Sequence, residues 1–312
     1  MLKYSDRIAK LTEIQKIRIL SGVGKISEKD MKDLGIPSIK VGYMKNYDRD
    51  IYPHATSIAH AWNTVLWREV AAAKAKKMSD DGIDFAIAPG SKIKISPYRK
   101  EISEDTYLAS LISASYMKAA EESGVRSGAS GYYVSESDSK WLDSVPNDRI
   151  LNEYIVWPYI HAAEMSSCGC IVTDPRKPSE AYKNSNTYIR TSANEKTEFF
   201  VCEHADEHNT VSLVSSGVIC LDASAQALSS ALAKYRKLKK DIEDGKGVTL
   251  VQLEEEIENG TAISEEAIDC ALDIALDFIM GIAEQTKNDF IVHEDELSVK
   301  STMESTVLLK NK

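Results

Sequence analysis

The feature that most constrains this chain is its rhythm: short apolar runs, each closed by Gly, Pro or a charged residue, alternate with helix-length segments. Ile39 to Tyr43 alternates as a first strand, and Asp84-Phe85-Ala86-Ile87-Ala88-Pro89 is an apolar strand closed by Pro89 and Gly90. A third strand spans roughly Val125 to Val134, a fourth Cys168 to Thr173, and two more are Phe199 to Glu203 and Gly217 to Leu221. The apolar stripe Ile8, Leu11, Ile14, Ile17, Ile19 and Leu20 predicts an opening helix stopped by Gly22 and Gly24. Further helices are predicted over Ala55 to Lys77, Ser103 to Ser123 and Asn147 to Met165, the last with a kink at Pro158. Ala223 to Ile242, Leu250 to Glu258 and Ser264 to Gln285 follow, and 174–196 reads as a polar loop. Helical crossovers return the chain to the same end of a sheet, so this alternation dictates parallel pairing. Six clear strands with room for two weak ones predict an α/β fold, a (β/α)8 TIM-like barrel, distorted or incomplete. A doubly wound sheet is the alternative. Residues 1–287 are assigned to the barrel and 288–312 to a charged C-terminal arm.

Charge narrows the ligand class. Lys and Arg number 38 against 48 Asp and Glu, a net charge of −10, which repels nucleic acid and anionic membrane surfaces and favours a neutral or cationic ligand. None of the five cysteines forms a C-x-x-C pair, which argues against a zinc ribbon or disulfide framework and for reduced thiols. Met1 to Arg7 carries no apolar leader core, and no apolar run is long enough to span a bilayer, so the expectation is a cytoplasmic protein.

Glu203 is the residue to explain. It ends the apolar run Phe199-Phe200-Val201-Cys202, where a buried strand hands a charged side chain to the mouth of a barrel. The same text contains His204-Ala205-Asp206-Glu207-His208, which matches the H-x-x-E-H pattern of one class of zinc peptidases if both imidazoles share a helix face. Incidental surface histidines are the plainer reading. Trp62 and Trp67 sit at helical spacing that predicts core packing. Cys168 and Cys170 fall on one strand face but make an incomplete metal set. The basic run Lys234 to Lys240 reads as a solvated helix face.

Several separated segments, in order, resemble glycoside hydrolase family 3, the β-glucosidase-like enzymes. They include Leu11 to Ile17, Gly35-Ile36-Pro37-Ser38, Ala61-Trp62-Asn63, Ala88-Pro89-Gly90, Ile95-Ser96-Pro97 and Ser103 to Leu108. Asn259-Gly260 with Ile263 to Asp269, and Ser305 to Asn311, continue the series; the last is similar to the linker into that family's second, α/β-sandwich domain. The resemblance implies a TIM-like barrel, retaining hydrolysis of terminal β-glycosides in carbohydrate metabolism, and no cofactor. Cys202-Glu203-His204 falls where the family's S-D-W motif carries its nucleophile, so the resemblance implies that Glu203 is catalytic. It further implies sugar contacts from Arg99, from His204 and from Ser130, although the family's K-H pair is here Ser130-Gly131. The general acid in that family comes from the domain after the barrel, which implies a separate sandwich-domain subunit or a homo-oligomer as partner. The alternative is a non-catalytic barrel, a pseudoenzyme that binds a sugar or a partner protein.

Overall fold

The structure is a computed structural model; it describes residues 2–26, 34–48, 51–91, 102–130, 148–166, 170–173, 199–286 and 292–306, and every structural statement concerns these. They fall into two compact units, one from 1–39 and 199–284, the other from 40–173 and 285–306.

The second unit contains β1 Val41–Tyr43, β2 Phe85–Ala88, β3 Arg126–Ala129 and β4 Cys170–Thr173. They pair in parallel in chain order, with Val41 opposite Phe85, Phe85 opposite Arg126 and Ala129 opposite Ile171. Sequential order has no reversal point, whereas a doubly wound sheet requires one. Every residue of β2 and β4 is buried, which explains why these strands read as continuous apolar runs. Helices Thr64–Asp80 and Thr106–Glu122 supply crossovers, with Asn63 and Asp105 as N-caps. Gly128 allows β3 to approach β4: a Cβ there would lie 2.7 Å from Val172 Cγ2.

Two departures from the expected helices have local causes. The span expected to run from Ala55 to Lys77 is two helices, Ala55–Ala59 and Thr64–Asp80, because Trp62 takes a positive φ of 50° and Asn63 opens a new helix by accepting from the amides of Val65 and Leu66. Trp62 is therefore 71 % exposed rather than packed in the core, while Trp67 is buried with its indole N–H on the Ile58 carbonyl, 2.9 Å away. Before Pro158 the chain forms a π-helical stretch, Leu151–Val156, and only then the α-helix Trp157–Met165. A wider turn spares the proline ring the clash with an upstream carbonyl. Near the end of the chain, Glu294–Ser305 is a helix, held to the second unit by Asn63 Nδ2 donating to Glu304 (2.7 Å) and by Lys300 pairing with Glu69 (2.7 Å).

The first unit holds β5 Phe199–Cys202 and β6 Ile219–Cys220, parallel, with Cys202 opposite Cys220. Around them lie helices Glu13–Ser21, Glu207–Ser215, Ala225–Glu243, Leu250–Glu258 and Glu265–Ala283. The predicted opening stripe splits at Thr12, whose hydroxyl and amide form a capping box with Gln15. Ile19, Leu20, Val201, Leu228, Leu272, Phe278 and Ile279 are buried. Arg236 bridges Glu13 and Glu265, and Lys16 pairs with Asp269 at 2.5 Å. The sequence predicts no helix between β5 and β6; the structure has Glu207–Ser215 there. The α/β class and parallel winding are as expected, and six strands are present among the described residues against the eight of a complete barrel.

Candidate active site at the ends of β5 and β6

Glu203 is the first residue past β5, at its C-terminal end, where the chain bends. It is half-buried. The parallel register continues beyond the regular strands: Leu221 N–H donates to the Cys202 carbonyl and Ala205 N–H to the Asp222 carbonyl, each at 2.8 Å. The residues flanking Glu203 are thus fixed by main-chain bonds to the segment leaving β6.

The same register sets His204 beside Asp222. His204 Nδ1 lies 3.4 Å from Asp222 Oδ2, and Lys25 Nζ donates to Asp222 Oδ1 at 2.5 Å. Lys25 ends a 3₁₀ turn, Val23–Lys25, that follows helix Glu13–Ser21; Ala223 N–H donates to the Ser21 carbonyl at 2.8 Å and joins that helix end to β6. The Lys25 ammonium holds the Asp222 carboxyl below the usual carboxylate range, with a smaller contribution from His204 and against the opposing effect of burial. All three side chains remain open to solvent.

Helix Glu207–Ser215 decides the roles of the neighbouring acids and histidines. Asp206 is its N-cap and accepts from Asn209 N–H at 2.9 Å, which engages its carboxylate. Buried Thr210 donates to the Asp206 carbonyl and accepts from Ser224 N–H, tying this helix to the start of Ala225–Glu243. Because the helix begins at Glu207, His204 lies outside it while His208 lies on it. The shared helix face that the H-x-x-E-H pattern needs is absent, and no cluster of three or more metal-ligating side chains occurs among the described residues. The zinc peptidase reading is set aside.

Of the other sequence candidates, Ser130 follows β3 in the second unit. Its N–H donates to the Ala88 carbonyl at 3.2 Å and its carbonyl accepts from Tyr159 Oη at 3.0 Å. Gly90 packs so closely on Ser130 that a Cβ would overlap the Ser130 carbonyl oxygen. Arg99, Cys168 and Trp141 lie outside the described residues. Cys170 is buried in β4. No helix among the described residues is long and apolar enough to cross a membrane.

Sequence reasoning missed Asp222 and Lys25. The signal for Asp222 was present: like Glu203, it is an acid directly after a short apolar run. Lys25 carries no such mark, because only the 3₁₀ turn brings it to the strand ends.

No family model matches the chain. A thermostable β-glucosidase B from Acetivibrio thermocellus is 24 % identical over 97 % of this chain and 42 % of its own length. Among solved structures, the β-glucosidase from Kluyveromyces marxianus in complex with glucose superposes with a TM-score of 0.69 at 17 % identity, covering 100 % of this chain and 39 % of that one. The Bifidobacterium adolescentis GH3 β-glucosidase gives 0.66 at 16 % identity, covering 97 % and 45 %. The chain thus spans about two fifths of the length of these relatives. It is similar to β-glucosidases in sequence, and its fold is similar to part of the glycoside hydrolase family 3 β-glucosidase structures.

Proposed function

We propose that this family 3 β-glucosidase-like chain forms the TIM-like barrel part of a retaining hydrolase of terminal β-glycosides, with Glu203 as nucleophile. The observation that carries the reading is the position of Glu203: a half-buried carboxylate directly past the C-terminal end of a parallel strand, the end at which barrel enzymes build their sites. In the first step a Glu203 carboxylate oxygen attacks the anomeric carbon, and the bond to the leaving oxygen breaks as an acid protonates that oxygen. Water then hydrolyses the glycosyl ester and releases Glu203. No cofactor is needed. His204 and Ser130 are proposed sugar contacts, as is Arg99.

The acid must stand about 5–5.5 Å from the nucleophile in a retaining site. Asp206 is engaged as a helix cap, and Glu207 lies exposed in the first turn of the same helix. Both lie on the segment directly after Glu203, so we assign the acid to a partner, a separate sandwich-domain subunit or a second copy of the chain. A second reading, a sugar-binding barrel without turnover, draws on Ser130 standing where the resembling family has a lysine.

The test is release of nitrophenol from aryl β-glycosides by the wild type and Glu203→Gln, beside titration with glucose. Turnover abolished by the substitution supports the nucleophile role, and equal rates would remove Glu203 from the mechanism. Glucose binding without turnover selects the second reading.

A further inference from the structure

We propose that Lys25, Asp222 and His204 form a clamp for sugar hydroxyls beside Glu203, an inference that rests on the glycoside reading above. Three separate elements deliver the three groups: the 3₁₀ turn Val23–Lys25, the segment leaving β6 and the segment leaving β5. The Asp222 carboxylate sits between them, with Lys25 on one oxygen at 2.5 Å and His204 facing the other at 3.4 Å. Each carboxylate oxygen keeps lone-pair capacity for a hydroxyl donor, the ammonium has N–H groups to spare for hydroxyl oxygens, and the second imidazole nitrogen is a further hydrogen-bonding atom.

Structural need does not account for the cluster. Main-chain bonds from Leu221 to Cys202, Ala205 to Asp222 and Ala223 to Ser21 already hold the segments together. The side chains of Lys25, Asp222 and His204 are 65 %, 42 % and 46 % exposed, and exposed ion pairs contribute only about 0–1 kcal/mol. The Lys25 and Asp222 charges cancel, which suits a neutral ligand. A carboxylate bracketed by an ammonium and an imidazole also matches the alternating donors and acceptors of vicinal hydroxyls. These groups offer charged contacts, whereas Ser130-Gly131, in the position of the family's K-H pair, carries no charged side chain.

The experiment is calorimetric titration with methyl β-glucoside and its singly deoxygenated analogues, with aryl glucoside kinetics in parallel. It compares wild type, Asp222→Asn, Lys25→Met and Asp222→Glu, each checked by far-UV circular dichroism. Hydrogen bonds to charged groups predict that Asp222→Asn weakens binding on the order of 10- to 100-fold. The penalty for at least one missing hydroxyl should shrink in parallel, with Asp222→Glu restoring part of it. If Asp222→Asn does not fold, Lys25→Met, altered at an exposed side chain, carries the same prediction with a smaller effect. Unchanged affinity and unchanged deoxy-sugar discrimination in the variants, with wild-type binding intact, would overturn the clamp and leave the glycoside reading standing. A wild type that neither binds nor turns over any glycoside would sink that reading, and the clamp with it.

Discussion

Gly90→Ala is expected to damage the second unit out of proportion to the single methyl group it adds. Gly90 follows Ala88-Pro89 at the end of β2, and a Cβ on it would overlap the Ser130 carbonyl oxygen at the end of β3. The obstacle is backbone, so no rotamer change relieves it and the two strand ends must part. Separation stretches the bond from Ser130 N–H to the Ala88 carbonyl (3.2 Å) and displaces the carbonyl that accepts from Tyr159 Oη (3.0 Å). Overpacking costs about 1–3 kcal/mol and each lost hydrogen bond about 1 kcal/mol, so the expected loss is roughly 3–5 kcal/mol. Gly82→Ala is the control, because Gly82 has a φ of +73° and open space where the added methyl would sit; its cost is left-handed strain alone, about 1–2 kcal/mol. Urea unfolding followed by circular dichroism measures both. A Gly90→Ala protein no less stable than Gly82→Ala would refute the close approach of β2 and β3.

Glu203→Asp keeps the charge but draws the carboxylate back by roughly 1 Å, and should lower turnover on the order of 100-fold if Glu203 attacks the sugar; retained activity would mean its charge matters and its reach does not. Alkaline stability reports on two tyrosines in the second unit. Burial, then Glu294, pushes Tyr52 up to about 12, while burial and the hydrogen bond to Asp81 do the same for Tyr47. A folded-state value above the ordinary 10 means the stabilisation is complete below pH 10 and fades as pH rises through about 12. Urea midpoints should therefore fall across that window in the wild type and fall less in the Tyr47→Phe, Tyr52→Phe double variant; parallel curves would contradict the assignment.

The parallel α/β class was legible because burial on both faces leaves an unmistakable pattern, as in Phe85-Ala86-Ile87-Ala88 with Pro89 and Gly90 after it. Helix ends were legible where a cap residue marks them, as at Asp105, Thr249 and Ser264. Two features escaped for opposite reasons. Glu207–Ser215 is only nine residues with four buried positions, and its polar first turn reads as loop until Asp206 is seen capping it. Helix Glu294–Ser305 buries Ser301 and Ser305 and leaves Val299 and Met303 exposed, so pattern reading finds no inward apolar stripe; its attachments include the polar contacts of Ser298, Lys300 and Glu304.

At the candidate site the same division holds, and it bears on chemistry. A sequence marks where a strand ends, so Glu203 and Asp222 both stand out as acids closing apolar runs. It does not mark which side chain crosses to them, and that decides their roles: Lys25 and His204 reach Asp222, and helix capping engages Asp206. An acid already paired with a lysine stays ionised through the neutral range and is poorly suited to deliver a proton, whereas it can accept hydroxyl donors throughout. Asp222 therefore suits ligand binding rather than the role of general acid. The proposed partner origin of the general acid is open to a direct assay: adding candidate sandwich domains to the protein should raise Glu203-dependent turnover, and no change on addition would count against it.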